Sequence, residues 1–141
     1  MNTLNDASPE NDRKVARWLF VLCGLVFAMV VLGGVTRLTG SGLSMVDWRP
    51  IMGSLPPLDS DDWERAFELY RQSPEFRLVN PDMDVEGFKG IFWLEYLHRL
   101  LGRLIGLAFA LPFAVFAWKG YIKKREWPKY ALMFLLGGLQ G

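Results

Sequence analysis

Long apolar runs alternate with charged intervals along the chain, and that alternation divides it before any motif is considered. Residues 18–36 carry no charge, a run of about 19 positions, close to the ~20 that an α-helix needs to cross the hydrocarbon core of a bilayer. A soluble core helix rarely runs that far without a polar face. A second uncharged run covers residues 104–118 and reaches spanning length only when extended back through Phe92, past several ionisable side chains. A third begins at Tyr130 and is still apolar at Gly141, so the pattern predicts a chain that breaks off inside its third span. The expected architecture is an all-α integral membrane protein, a helical bundle with two complete transmembrane helices and the start of a third. The segments are a tail over 1–14, a first span over 15–38, a loop over 39–89, a second span over 90–118, a short loop over 119–129 and the truncated span over 130–141.

Charge gives the spans a direction, because short cytoplasmic loops carry the excess of Lys and Arg. Lys119, Lys123, Lys124, Arg125 and Lys129 stand against Glu126 alone between the second and third runs, and Arg13, Lys14 and Arg17 precede the first. Both cues put the N-terminus and the second loop in the cytoplasm. The loop over 38–89 then faces the periplasm, and beyond Arg37 it holds ten acidic against five basic residues. A loop of that length has structure of its own. Asp61 and Glu64 read as a capping-box-like start, and Trp63, Phe67 and Tyr70 recur at helical spacing, predicting a short amphipathic helix on the membrane surface or on the rest of the protein. Pro56-Pro57, Ser73-Pro74 and Asn80-Pro81 punctuate it.

A cleaved secretory signal is the rival reading of the first run. Its apolar stretch is too long for one, and Gly33-Gly34-Val35-Thr36-Arg37 is not a small-residue cleavage site. Asp6, Glu10 and Asp12 in the leader oppose a mitochondrial transit peptide, which leaves a bacterial inner membrane as the simpler location. The net charge of +1 says little about partners, and the lack of an aromatic-interleaved basic cluster argues against nucleic acid. The single cysteine, Cys23, permits no internal disulfide and reads as a small buried hydrophobe.

Candidate chemistry gathers in the second span. At 100° per residue, Glu95, His98, Arg99 and Arg103 fall within about 140° of arc, so they share one sector of the helix. Ionisable groups at membrane depth mark pathways, ligand sites or relays, and that sector cannot face lipid. Gly102, Gly106 and Ala110 continue it with a small-residue spacing that admits either a packed helix or a flat ligand. His98 is the one histidine. It reads as a metal ligand or as a hydrogen-bonded core residue, and its neighbours favour the ligand. Imidazole is a standard axial ligand of haem iron, a carboxylate one turn away can orient the ring or move protons, and arginines match haem propionates. Zinc is the weaker alternative, because one His and one Glu give at most two of its four ligands. If the helix enters the bilayer near Gly90, His98 lies roughly 12 Å deep, in the periplasmic half. The exit of the first span, residues 33–48, combines glycines, hydroxyls and Arg37. It suits a tight turn whose free N–H groups hold an anion, or else a plain Gly/Ser turn with a snorkelling arginine.

Val31-Leu32-Gly33-Gly34-Val35-Thr36-Arg37-Leu38-Thr39, Ser41-Gly42-Leu43-Ser44-Met45-Val46-Asp47-Trp48 and Glu95-Tyr96-x-His98-Arg99-x-x-Gly102-Arg103 resemble the haem A synthase family of the proteobacterial and mitochondrial type. Ser73-Pro74-Glu75-Phe76 and Gly137-Gly138-Leu139-Gln140-Gly141 fit the same family. The resemblance implies an eight-helix bundle of two four-helix halves with haem held by histidine pairs. It implies an oxidoreductase that converts the C8 methyl of haem O to a formyl group, making haem A for terminal oxidases. On it, His98 is an axial ligand of the substrate iron whose partner lies on a fourth helix, and Glu95 is the catalytic carboxylate. Arg37, Arg99 and Arg103 are candidate cofactor-binding cations for propionates. Haem O is then substrate and haem b belongs to the C-terminal half. Haem O synthase, further copies of the chain and membrane lipid are the candidate partners. The cysteine pair that other members carry in the first extracytoplasmic loop is not present here. A b-type cytochrome or quinol-linked electron-transfer subunit, with a permanent haem on His98, is the competing function. A structural subunit with a buried ion network is a third.

Overall fold

The computed structural model describes residues 8–46 and 55–140. Asp47 and Trp48, which close the first motif, lie outside the described residues, as do Asp6 of the leader and Gly141. Among the described residues there is no strand. The α-helices in order are α1 (Pro9–Leu38), α2 (Ser60–Arg71), α3 (Pro74–Val79), α4 (Val85–Trp118) and α5 (Trp127–Leu139), with a 3₁₀ turn over Lys124–Glu126 before α5. Both α1 and α4 are long and apolar enough to cross a membrane. Only 11% and 6% of their most apolar windows are buried. A soluble core helix would hide such a window, so exposure rather than length favours lipid here.

Each long helix starts before the apolar run it contains. α1 begins at Pro9 and carries Glu10 and Asp12 in its first turn, and Lys14 Nζ pairs with Glu10 Oε1 at 2.8 Å. α4 begins at Val85 with Glu86 in its first turn, paired with Lys89 at 2.7 Å. Hydropathy marks what lipid tolerates, whereas helical hydrogen bonding continues into the charged flank, where acidic first turns also suit the helix dipole.

Two compact units are distinguished, and α1 and α4 contribute a part to each. The first unit comprises residues 1–28 and 101–141. Its centre is Trp18, only 8% exposed, with ring contacts to Phe109 at 5.2 Å, Phe116 at 5.5 Å and Tyr130 at 5.9 Å. Pro112 stands inside α4. It has no N–H for the carbonyl four residues back, which is that of Ala108. The Trp18 indole N–H donates to that Ala108 carbonyl at 2.8 Å. The α4 chain then turns at Gly120, where φ is +72°: Tyr121 N–H donates to the Phe116 carbonyl at 2.8 Å and Gly120 N–H to that of Ala117 at 3.2 Å. That pair of bonds is a Schellman ending, which needs the left-handed conformation that glycine adopts freely. Lys119, Lys123, Lys124, Arg125 and Lys129 of the following loop are all exposed. Cys23 is exposed too, which corrects the expected burial; it lies in the uncovered apolar stretch of α1.

The second unit comprises residues 29–100. Here α2 starts at an Asp59 cap, whose side chain accepts from Asp62 N–H at 2.8 Å. The start is therefore two residues earlier than the Asp61 reading, because the Asp59 oxygen takes the orphan donor first. Trp63, Phe67 and Tyr70 lie on the packed face of α2, as their spacing predicts. They meet Phe88, Phe92 and Trp93 of α4, so this helix rests on the protein: Tyr70 stacks on Phe88 at 5.1 Å and both are fully buried. A 12-residue helix is marginal by itself, and this aromatic contact is what holds it. α3 was expected only as punctuation. Ser73 caps it by accepting from Phe76 N–H at 3.2 Å, and Pro74 occupies its first turn, where a missing N–H costs nothing.

Candidate functional site

The site in the second unit grows from the end of α1. Gly40, at φ +64°, closes the helix: Ser41 N–H donates to the Thr36 carbonyl at 2.9 Å and Gly40 N–H to that of Arg37 at 3.2 Å. This is a second Schellman ending, and it turns the chain without a free amide at Gly40 or Ser41. Thr39 donates to the Val35 carbonyl at 2.8 Å, and its Oγ1 lies 2.6 Å from Ser41 Oγ. The turn delivers Ser44 and Met45 to α4.

Glu95 receives them there. Ser44 Oγ–H donates to Glu95 Oε2 at 2.6 Å and Met45 N–H to the same oxygen at 2.8 Å. Arg99 donates to Oε1 through Nε at 3.0 Å and through Nη2 as well. Glu95 is 2% exposed and Ser44 equally so. Every partner is a donor, which suits a carboxylate, an acceptor at both oxygens. The anion that the glycine- and serine-rich turn binds is thus the protein's own carboxylate, and the two sequence motifs form one site. That pairing, between positions 51 residues apart, was not visible in the sequence. The hydroxyls of the first motif and the carboxylate of the second were its separate signals.

His98 is half-buried one turn from Glu95 and makes no hydrogen bond to any described residue. Its ring lies against Gly33 of α1: a Cβ built on Gly33 would be 2.9 Å from Nε2 and 3.4 Å from Cδ2. Arg103 follows Arg99 by one turn, is half-buried, and has its Nη1 atom inside the protein. So all four side chains of the predicted sector are withdrawn from solvent. Arg37 differs: it is exposed on the last turn of α1, and its side chain has no ion pair or hydrogen bond to a described residue. Gly106 faces open space among the described residues. A cavity of ≈380 Å³ opens beside Arg99, with walls from Leu43, Val46, Pro74, Leu78 and Glu75. It combines apolar surface with one cation, Arg99, and one carboxylate, Glu75.

Helices α1 and α4, mostly uncovered along their apolar lengths, and a polar site of Glu, Ser and Arg beside a single imidazole define an all-α membrane protein with a buried ionisable site. The chain belongs to the COX15-CtaA family of cytochrome oxidase assembly proteins, whose model matches residues 16–141. It is 54% identical over 132 residues to the Heme A synthase of Caulobacter vibrioides, covering 94% of this chain and 38% of that protein. Identity is 56% over 130 residues to the Heme A synthase of Nitrosospira multiformis (92% and 36% covered) and 51% over 140 residues to that of Nitrosomonas eutropha (99% and 39%). The chain therefore spans between 36% and 39% of the length of these curated relatives. No solved structure matches it.

Proposed function

We propose that this chain forms part of a haem A synthase, an oxidoreductase that converts the C8 methyl of haem O to a formyl group. The observation that carries the reading is the identity of 51–56% to proteins of that name over more than nine-tenths of the chain. The geometry of the second unit supports it. As substrate, haem O offers an iron for an axial imidazole and two propionates for cations. His98 suits the first, because its imidazole has no hydrogen-bond partner among the described residues and faces a bare glycine. Arg99 suits the second, since it borders the apolar cavity while Glu95 fixes its Nε and Nη2. Arg103 and Arg37 are further candidates for propionates.

Glu95 is the acid–base group of this proposal. Of its donors, the guanidinium and the Met45 amide do not release protons at working pH, whereas the Ser44 hydroxyl can turn and accept. Proton traffic at Glu95 then runs through Ser44 Oγ, 2.6 Å away. A haem b site and a second axial ligand belong to the remainder of the protein, haem O synthase is the supplier of substrate, and self-association is consistent with the uncovered helix faces. The N-terminus is assigned to the cytoplasm of a bacterial inner membrane by the positive residues near both cytoplasmic ends. The test is to co-express the full-length protein with haem O synthase, extract the haems and separate them by chromatography. Haem A is the expected product; haem O recovered unchanged beside folded protein would refute the reading.

A further inference from the structure

Gly33 and Gly34 sit side by side in α1, where a glycine is less favourable than alanine. Neither has a positive φ, so conformational freedom does not explain them. Their surroundings differ. A Cβ on Gly34 would meet nothing within 4 Å, whereas one on Gly33 would lie 2.9 Å from His98 Nε2, 3.4 Å from Cδ2 and 3.8 Å from Cε1. Space is therefore the requirement at 33, and the atom that needs it is a nitrogen through which an imidazole binds a metal.

We propose that Gly33 is a positioning residue for His98: its bare backbone leaves the room in which the Nε2 edge of the imidazole sits, and so sets the ring from which haem is ligated. The inference rests on the haem reading above and adds to it a residue on a different helix. A methyl at 33 has two ways to settle. It turns the ring about its two side-chain torsions, or it stays and crowds Nε2. Both disturb ligation without unfolding α1, because the clashing atom is the far end of a rotatable side chain and alanine is the better helix former.

The experiment uses the full-length protein, with haem O supplied by a co-expressed haem O synthase. Gly33→Ala, Gly34→Ala and His98→Ala are compared with the parent for haem content, haem affinity, the optical and electron paramagnetic resonance signatures of the low-spin iron, and thermal unfolding of the haem-free protein. Gly33→Ala should unfold no earlier than the parent yet bind haem at least about tenfold more weakly, the loss typical of disturbing the groups that orient a metal ligand, with an altered low-spin signature. Gly34→Ala should match the parent in haem content, affinity and signature and unfold no earlier. Unaltered affinity and signature in Gly33→Ala, or an equal loss in Gly34→Ala, would overturn the proposal. If His98→Ala keeps its haem with an unchanged signature, the ligand assignment falls and the proposal with it; if His98→Ala loses haem while Gly33→Ala does not, only the role of Gly33 falls. Should Gly33→Ala fail to accumulate, the double variant with His98→Ala decides: removal of the ring restores accumulation if the clash is the cause, and failure to restore it counts against the proposal.

Discussion

Glu95 shows how much one side chain can organise. Its two oxygens hold the turn after α1 through Ser44 and Met45 and hold Arg99 on its own helix. Hydrogen bonds to a charged group contribute about 1.5–3 kcal/mol, so Ser44→Ala should destabilise the turn by roughly that amount. Glu95→Ala removes the acceptor of four hydrogen bonds from three residues at once, and combining it with Ser44→Ala should add little, because the serine's contribution passes through the carboxylate. Hydrogen exchange at the Met45 amide is the direct measurement. Fast exchange is expected in Glu95→Ala and intermediate exchange in Ser44→Ala; an amide still protected in Glu95→Ala would show that the turn is held by something else. At this scale the sequence was informative about residue type and silent about partnership. Helical spacing alone put Glu95, His98, Arg99 and Arg103 into one sector, and all four are withdrawn from solvent. Spacing says nothing of contacts between distant parts of the chain, so the bond from Ser44 to Glu95 and the contact of Gly33 with His98 were hidden from it.

Among the elements, α4 carries a flaw that another helix repairs. Pro112 leaves the Ala108 carbonyl without its helical donor, and the Trp18 indole supplies one at 2.8 Å. The Ala108 carbonyl is partly buried, and leaving it unsatisfied costs up to about 1–3 kcal/mol, so Trp18→Phe, which keeps most of the ring, should lower the thermal unfolding midpoint in detergent. Pro112→Ala restores a backbone N–H opposite the same carbonyl. Trp18→Phe should consequently cost much less in the Pro112→Ala background than in the parent. Equal losses in both backgrounds would show that the indole N–H is dispensable and that ring packing alone explains Trp18. The tryptophan was legible as the start of an apolar run, but its role was not, since a proline inside an apolar stretch gives no sign of which neighbour compensates. The helix caps follow the same rule. A carboxylate just before Trp63 signalled the start of α2, yet three aspartates, Asp59, Asp61 and Asp62, competed for the cap, and local geometry chose Asp59. α3 was hidden because six residues are too few to show a period, and Ser73-Pro74 reads equally as a turn or as a cap followed by a first-turn proline.

For the molecule as a whole, orientation in the membrane links the fold to its proposed chemistry. On the proposed topology, the exposed lysines and arginine after α4 and the basic residues early in α1 belong to one side, and the acidic loop that holds α2 and α3 to the other. Glu95, Ser44 and His98 are in the same unit as α2 and α3, so the assignment puts the site toward the periplasmic face. Single cysteines in an otherwise cysteine-free background test it, because Ser60 on α2 and Lys124 after α4 are both exposed and far from the candidate ligands in sequence. Ser60→Cys should react with a membrane-impermeant maleimide in intact spheroplasts, and Lys124→Cys only after permeabilisation. The opposite pattern would invert the protein, and with it the side from which protons reach Glu95. Equal labelling of both before permeabilisation would mean that α4 does not cross the bilayer between them. In that event the ionisable sector would no longer have to avoid lipid, and the strongest physical reason to treat His98 as a ligand would be lost.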